Sequence, residues 1–129
     1  MSLAPRTVAL VALGGAVGSV LRWSVEVALP AAPGQVPWAT VLVNVLGSAL
    51  LGALVVLLDR GALWPGRRAF LTTGLLGGFT TFSTYAVQVA VLADGAPALA
   101  VAYAVGTPLV CVASAWLGGL LARRAGWQR

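Results

Sequence analysis

One stretch of the sequence decides how this chain folds: Gly74-Leu75-Leu76-Gly77-Gly78-Phe79-Thr80-Thr81-Phe82-Ser83-Thr84-Tyr85. It lies inside an apolar run, yet three glycines within five residues, followed by β-branched and hydroxyl-bearing residues, make a poor helix interior. Non-helical backbone at membrane depth is tolerated only where it is buried in protein or lines a cavity, and its freed carbonyls can coordinate a cation. The stretch therefore predicts a helix that is broken in mid-membrane around Gly77 to Thr80. A continuous helix whose glycines allow close packing is the alternative.

The composition of the whole chain is typical of a protein embedded in the lipid bilayer. Hydrophobic residues account for 60% of the 129 residues and charged residues for only 9%. Because a membrane-spanning helix needs roughly 20 apolar residues, the chain has room for four spans and no soluble domain. We predict spans over about residues 7–29, 38–58, 70–92 and 98–122, so that residues 1–129 form one all-α integral membrane domain. The first run is longer than a signal-peptide core and is expected to be a retained helix.

Charge and residue usage argue against several classes of function. The 8 basic residues are all arginines at or near predicted helix ends, which membrane topology explains better than nucleic-acid binding does. Histidine is absent from the sequence, and the single cysteine, Cys111, falls in the middle of a span. A disulfide framework, a metal-ligand cluster and a Ser-His-Asp triad are therefore poorly supported, and we expect a protein that is not an enzyme.

Small residues four apart indicate that helices approach closely. The pairs are Gly14 and Gly18, Ser48 and Gly52, and Gly74 and Gly78. Packing within one subunit explains most pairs of this kind. Four helices nevertheless fill their own centre with side chains, so a wide aqueous pore cannot form within one subunit and an oligomer is expected.

Polar residues are costly in hydrocarbon unless they face a partner or a wet cavity. Two spans carry them at i, i+4, i+8, which places each set on one helical face: Thr40, Asn44 and Ser48 in span two, and Tyr103, Thr107 and Cys111 in span four. In span two a polar pathway and adhesive hydrogen bonding between helices remain equal alternatives, whereas packing is favoured in span four.

Two further features could act on an anion. Phe82 and Tyr85 are three apart and share a face, and aromatic ring edges carry positive potential, although an aromatic pair usually belongs to the core. Arg22 lies one turn before Glu26 in span one. It is interpreted either as a snorkelling charge paired with that carboxylate or as a basic residue at the mouth of an anion pathway.

The motifs of the first three spans together resemble the CrcB/Fluc family of small bacterial fluoride channels. They are Gly14-Gly15-x-x-Gly18-Ser19-x-x-Arg22-Trp23, Thr40-x-x-x-Asn44-x-x-Gly47-Ser48, and Gly77-Gly78-Phe79-Thr80-Thr81-Phe82-Ser83-Thr84-Tyr85. The resemblance implies an antiparallel, dual-topology dimer in the bacterial inner membrane, with two narrow fluoride pathways and a structural sodium ion at the two-fold axis. Passive export of fluoride through these pathways would relieve fluoride toxicity.

The resemblance also implies roles for single residues. Gly77 and Thr80 would supply backbone carbonyls to the sodium ion. The fluoride pathway would comprise Asn44 as a donor, the rings of Phe82 and Tyr85, the hydroxyls of Ser83 and Thr84, and Thr40, Arg22, Tyr103 and Thr107. Two positions depart from the family pattern, because Tyr85 stands where phenylalanine is usual and Gln88 stands where many members carry glutamate.

Two other classes of membrane protein have similar hydropathy. Small drug exporters exchange protons for cations through a buried carboxylate, for which Glu26, near a helix end beside Arg22, is the one candidate in this sequence. A non-transporting assembly subunit would use its polar tracks only for adhesion.

The arginines also predict an orientation in the membrane. Seven lie on one side of a four-span arrangement: Arg6, Arg60, Arg67, Arg68, Arg123, Arg124 and Arg129. The other side has Arg22, offset by Glu26, and the acidic Asp94. By the positive-inside rule both termini are expected in the cytoplasm. Such a bias favours an antiparallel heterodimer with an oppositely oriented homologue, with an antiparallel homodimer as the alternative.

Overall fold

The computed structural model describes residues 4–59 and 64–125, and the regular structure in these ranges is entirely helical. The elements are α1 (Pro5–Ala28), α2 (Trp38–Asp59), α3 (Pro65–Ala69), a π-helix (Phe70–Leu76), α4 (Gly77–Phe79), α5 (Ser83–Gly95) and α6 (Pro97–Arg124). Arg60 and Arg129, which enter the prediction of orientation, lie outside the described residues.

Within residues 4–59 and 64–125, four stretches are long and apolar enough to cross a membrane, which confirms the number of spans predicted from the sequence. They are Pro5–Ala28, Trp38–Asp59, Pro65–Gly95 and Pro97–Arg124. Three of them begin with a proline, whose fixed φ suits the first helical position and whose missing N–H is not needed there. Large apolar side chains such as Val112 and Trp116, each 70% exposed, cover the outside, as a surface facing lipid requires.

Span one packs so closely against the first half of span three that the backbones of the two helices are in contact. A Cβ atom on Gly14 would lie 2.5 Å from the carbonyl oxygen of Phe70, and one on Gly74 would lie 2.8 Å from that of Val11. Such distances leave no room for a side chain at either glycine. The pairs Gly14/Gly18 and Gly74/Gly78 therefore allow spans one and three of the same subunit to pack closely.

Span two packs against span four in the same manner. A Cβ on Gly52 would overlap the Ala115 carbonyl, and one on Gly118 would overlap the Ala49 carbonyl. The Ser114 hydroxyl also shares its proton between the Val45 carbonyl across the interface, at 3.1 Å, and the Cys111 carbonyl of its own helix, at 2.8 Å. The second half of span three, α5, packs on α6. The helices thus form a first group of α1, α3, the π-helix and α4, and a second group of α2, α5 and α6.

Span three is not uniform along its length. Its backbone follows a π-helix to Leu76, where each N–H bonds one residue further back than in an α-helix. Gly77 is still helical, with φ −65° and ψ −33°. Thr80 is extended, with φ −81° and ψ 158°, and α5 begins at Ser83. The two helix groups therefore meet at residues 80–82.

Candidate functional site

The side chain of Asn44 holds the backbone of residue 81. Its Nδ2 donates to the Thr81 carbonyl at 2.9 Å, and the Thr81 N–H donates to Asn44 Oδ1 at 2.8 Å. One carboxamide thus satisfies both backbone polar groups of a residue that lies outside any helix, as apolar surroundings require. The polar residue in mid-span of α2 therefore has a partner, which lies in span three.

This pairing has a consequence for the Gly77 carbonyl. In a continuous α-helix the N–H of residue 81 would donate to the carbonyl of residue 77. Here the Thr80 N–H still donates to the Leu76 carbonyl at 3.0 Å, but the Thr81 N–H is taken by Asn44. The Gly77 carbonyl is left without its helical donor, and its oxygen becomes available to another ligand.

The hydroxyl of Thr81 organises the start of α5. It accepts a hydrogen bond from the Thr84 N–H at 3.1 Å and donates to Thr84 Oγ1 at 3.0 Å. The Ser83 hydroxyl lies 3.4 Å away. Satisfying a free N–H at the first turn of a helix is what capping residues do. The hydroxyls of Ser83 and Thr84 are therefore gathered at the helix end by Thr81, which sequence reasoning did not single out.

Three aromatic rings form a row from span three to span four. The centroids of Phe82 and Tyr85 are 5.7 Å apart with planes inclined at 45°, and those of Tyr85 and Tyr103 are 5.3 Å apart at 50°. Phe82 is 79% exposed, so most of its ring surface other than the contact with Tyr85 is not covered by this subunit. Tilted rings at these distances present edges as well as faces to their neighbours.

The hydroxyl groups behind this row are mostly paired. Tyr85 donates to the Ala104 carbonyl, and Tyr103 donates to Gln88 Oε1 at 2.8 Å. Thr40 is fully buried beside the Tyr103 hydroxyl, and its own hydroxyl makes no hydrogen bond of normal geometry with the described residues. The face of α2 that carries Thr40 and Asn44 is thus turned towards spans three and four.

Arg22 joins span one to the end of α4. Its Nη1 lies 3.2 Å from Glu26 Oε1, and its Nε donates to the Gly78 carbonyl at 3.4 Å. Both charged side chains are about a quarter to a third exposed, at 26% and 30%. The pairing with Glu26 that was one interpretation of Arg22 is present, and the guanidinium also reaches a carbonyl of the last turn before residue 80.

A cavity of about 400 Å³ brings together much of the predicted site. The predicted residues that line it are Asn44, Gly77, Thr80, Phe82, Tyr85 and Thr107. Its lining does not include Arg22, Thr40, Ser83, Thr84 or Tyr103. It also includes Ser48, which the sequence placed on the polar face of span two, and Thr81 and Pro108, which were not predicted as site residues. Pro108 had a readable signal, since a proline inside a span removes one helical N–H.

The residues that line the cavity offer carbonyl and hydroxyl oxygens, but no cluster of His, Cys, Asp or Glu side chains among the described residues. Between residues 4 and 59 and between 64 and 125, no group of three or more His, Cys, Asp or Glu residues lies together. Backbone carbonyls and hydroxyls are the oxygens at hand, and such neutral oxygens suit a hard cation in a narrow site.

Comparison with known proteins gives one consistent relationship. Residues 9–119 match the family model described as CrcB-like protein, Camphor Resistance (CrcB). The chain is 42% identical over 127 residues to fluoride-specific ion channel FluC 2 of Nocardia farcinica, which covers 95% of this chain and 89% of the relative. It is 41% identical over 121 residues to the fluoride-specific ion channel FluC of Paramagnetospirillum magneticum, with 90% and 94% covered. For the fluoride-specific ion channel FluC of Thermus thermophilus the identity is 43% over 111 residues, with 84% and 89% covered.

Proposed function

This chain belongs to the CrcB family, which makes it a multi-pass membrane protein and not an enzyme, and we propose that it is a passive, fluoride-selective ion channel. In the cell it would export fluoride from the cytoplasm across the bacterial inner membrane and relieve fluoride toxicity. The observation that carries the proposal is the cavity in which the Asn44 amide, the hydroxyl-bearing residues and the aromatic rings meet at one point of the span.

The chemistry of the cavity suits an anion that is bound without a formal counter-charge. A carboxamide nitrogen has two hydrogens, and Asn44 commits one of them to the Thr81 carbonyl. The second is available to an anion. The rings of Phe82 and Tyr85 add edges with positive potential beside it. Conduction requires sites that replace hydration yet hold the ion weakly enough to release it, and neutral donors meet that requirement.

We place the structural sodium ion at the carbonyls of Gly77 and Thr80. Both residues line the cavity, and the Gly77 carbonyl has lost its helical donor to the Asn44 contact. In this proposal the interruption at residues 80–82 is the membrane-embedded break of the family, and two copies of it meet across a two-fold axis. A sodium ion there would supply positive charge to converging carbonyl dipoles and join the two subunits.

The subunits of the proposed dimer are antiparallel. Phe82 lines the cavity and is 79% exposed on this subunit, and in the proposed dimer a second subunit would pack against it. Depending on how strictly the arginines fix orientation, the partner is an identical chain or an oppositely oriented homologue.

The proposed function is tested by efflux from proteoliposomes loaded with potassium fluoride or potassium chloride. We expect fluoride to leave after addition of a potassium ionophore and chloride to stay, with no dependence on a proton gradient. Proton-dependent exchange of organic cations would identify a drug exporter instead. The absence of any flux from protein that is folded and correctly reconstituted would favour a non-transporting subunit.

A further inference from the structure

Pro108 leaves a gap in the hydrogen bonding of α6. It lies inside the helix Pro97–Arg124, and in an α-helix the N–H of residue 108 would donate to the carbonyl of residue 104. Proline has no N–H, so the Ala104 carbonyl lacks this donor. In hydrocarbon a carbonyl without a partner costs free energy, because no water can replace the lost bond.

The gap is filled by a side chain from span three. The Tyr85 hydroxyl donates to the Ala104 carbonyl, across a separation of 19 residues in sequence. The Tyr85 ring is held between Phe82 and Tyr103, at 5.7 Å and 5.3 Å from their centroids. The hydroxyl and the ring of Tyr85 thus contact different neighbours, and the side chain cannot swing about its Cα–Cβ bond without breaking the bond to Ala104.

We propose that Tyr85 and Pro108 form a functional pair, in which the tyrosine hydroxyl masks a carbonyl that would otherwise face the anion pathway. Tyr85, Thr107 and Pro108 all line the cavity, and Ala104 lies one turn before Pro108 on α6. An exposed carbonyl oxygen carries partial negative charge, and in surroundings of low dielectric it repels a nearby anion. This inference rests on the proposed function for its effect on flux, while the hydrogen bond itself does not depend on it.

The pair gives a physical reason for the tyrosine at a position where the family usually has phenylalanine. A phenylalanine at position 85 would fill the same volume but would leave the Ala104 carbonyl bare. The hydroxyl is thus matched to the proline 23 residues further along the chain. Tyr85 acts here as a positioning residue: its hydroxyl holds its own ring in place and covers the Ala104 carbonyl.

A double-mutant cycle tests the coupling in proteoliposomes, with fluoride flux measured for the wild-type chain, Tyr85→Phe, Pro108→Ala and the double variant. Loss of one buried hydrogen bond corresponds to about fivefold in a rate or equilibrium, so we expect Tyr85→Phe to lower flux about fivefold. In the Pro108→Ala background the new N–H satisfies Ala104, and the same substitution should cost less than about twofold. Equal losses in both backgrounds, or no loss in either, would overturn the pairing.

A spectroscopic measurement separates this inference from the proposed function. The chain has 2 tyrosines, so in a Tyr103→Phe background the ultraviolet resonance Raman spectrum reports the Tyr85 hydroxyl alone. We expect the signature of a strong hydrogen-bond donor in detergent-solubilised protein, whether or not the protein transports. A donor signature without fluoride flux in the wild-type chain would support the hydrogen bond and refute the channel. Flux in the wild-type chain with a tyrosine that does not donate would refute the pairing.

Discussion

The carboxamide of Asn44 is bonded to both backbone polar groups of Thr81, at 2.9 Å through the carbonyl and 2.8 Å through the N–H. A single side chain of span two therefore defines where the backbone of span three leaves its helix. The same contact frees the Gly77 carbonyl and leaves one amide hydrogen of Asn44 unused by Thr81. In the proposed channel, Asn44 would thus combine structural support with anion recognition.

Asn44→Ala is expected to reduce fluoride flux at least about tenfold and to leave the proposed dimer intact. The substitution removes two hydrogen bonds at about 1 kcal/mol each and the amide donor proposed for the anion. Flux is measured in proteoliposomes, and the oligomeric state by size-exclusion chromatography with light scattering. Near-normal flux from the folded variant would contradict the assignment.

Ser114→Ala is the matched control for this substitution. Its hydroxyl also reaches across spans to the Val45 carbonyl, sharing its one proton with the Cys111 carbonyl of its own helix, but Ser114 does not line the cavity. We expect it to cost about 1 kcal/mol of stability and to leave flux within about twofold. A large loss of flux in this control would show that any missing bond between helices impairs transport.

Gly14→Ala is expected to destabilise the fold, whereas Gly15→Ala is not. A Cβ at Gly14 would lie 2.5 Å from the Phe70 carbonyl, but one at Gly15 would have its nearest contact at 3.9 Å, from the Gly74 carbonyl. Overpacking costs about 1–3 kcal/mol, while a tolerated alanine stays within about 0.5 kcal/mol. The apparent melting temperature in detergent measures the difference, and similar values for the two variants would contradict the close approach of spans one and three.

Glu26→Gln should leave fluoride flux within about twofold of the wild-type value. The carboxylate is 30% exposed and paired with Arg22, and a pair of this kind contributes at most about 1 kcal/mol. Arg22 keeps its bond to the Gly78 carbonyl in this variant. A proton-coupled exporter would need this carboxylate, so a complete loss of transport on this substitution would revive that alternative.

Replacement of sodium by N-methylglucamine throughout purification and assay should lower fluoride flux. Under the proposal, carbonyls of Gly77 and Thr80 from two subunits would hold the ion, and without it those dipoles would repel one another. Flux and dimer content are measured before and after sodium is returned. Equal flux in both media, with sodium shown by elemental analysis to be absent, would argue against the assignment.

A tag at the C-terminus is expected to face the cytoplasm. Within the described residues the arginines of one side are Arg6, Arg67, Arg68, Arg123 and Arg124. Arg22 of the opposite side is offset by Glu26. Accessibility of the tag to a membrane-impermeant reagent in intact cells measures orientation. Equal populations facing in and out would contradict a fixed orientation and favour the antiparallel homodimer.

The four spans were readable because they depend on composition along the chain. Membrane-spanning helices need only length and apolar character, and the Trp38 that opens span two in sequence is also its first helical residue. The residues of the candidate site were readable as types that hydrocarbon does not tolerate unpaired, above all Asn44.

The hydrogen-bond partners of the candidate-site residues could not be predicted from the sequence. Asn44 and Thr81 are 37 residues apart, and their pairing depends on how spans two and three cross. The π-helix differs from an α-helix by one residue in each hydrogen bond, a difference that local propensity does not encode. The bond between Tyr85 and Ala104 also joins two spans. In this case Pro108 indicates from the sequence that the carbonyl four residues before it lacks a helical donor, but not which side chain supplies one.

The division of span three between two helix groups has a mechanical consequence. Its first half is packed on α1 and its second half on α6, so a force that pulls the groups apart is carried to residues 80–82. At that point the Asn44 carboxamide opposes the separation through its two hydrogen bonds to the backbone of Thr81. Smaller contacts of α2 with α1, the π-helix and α4 share the load. Under tension the two helix groups should therefore separate at residues 80–82 before either group loses its internal packing.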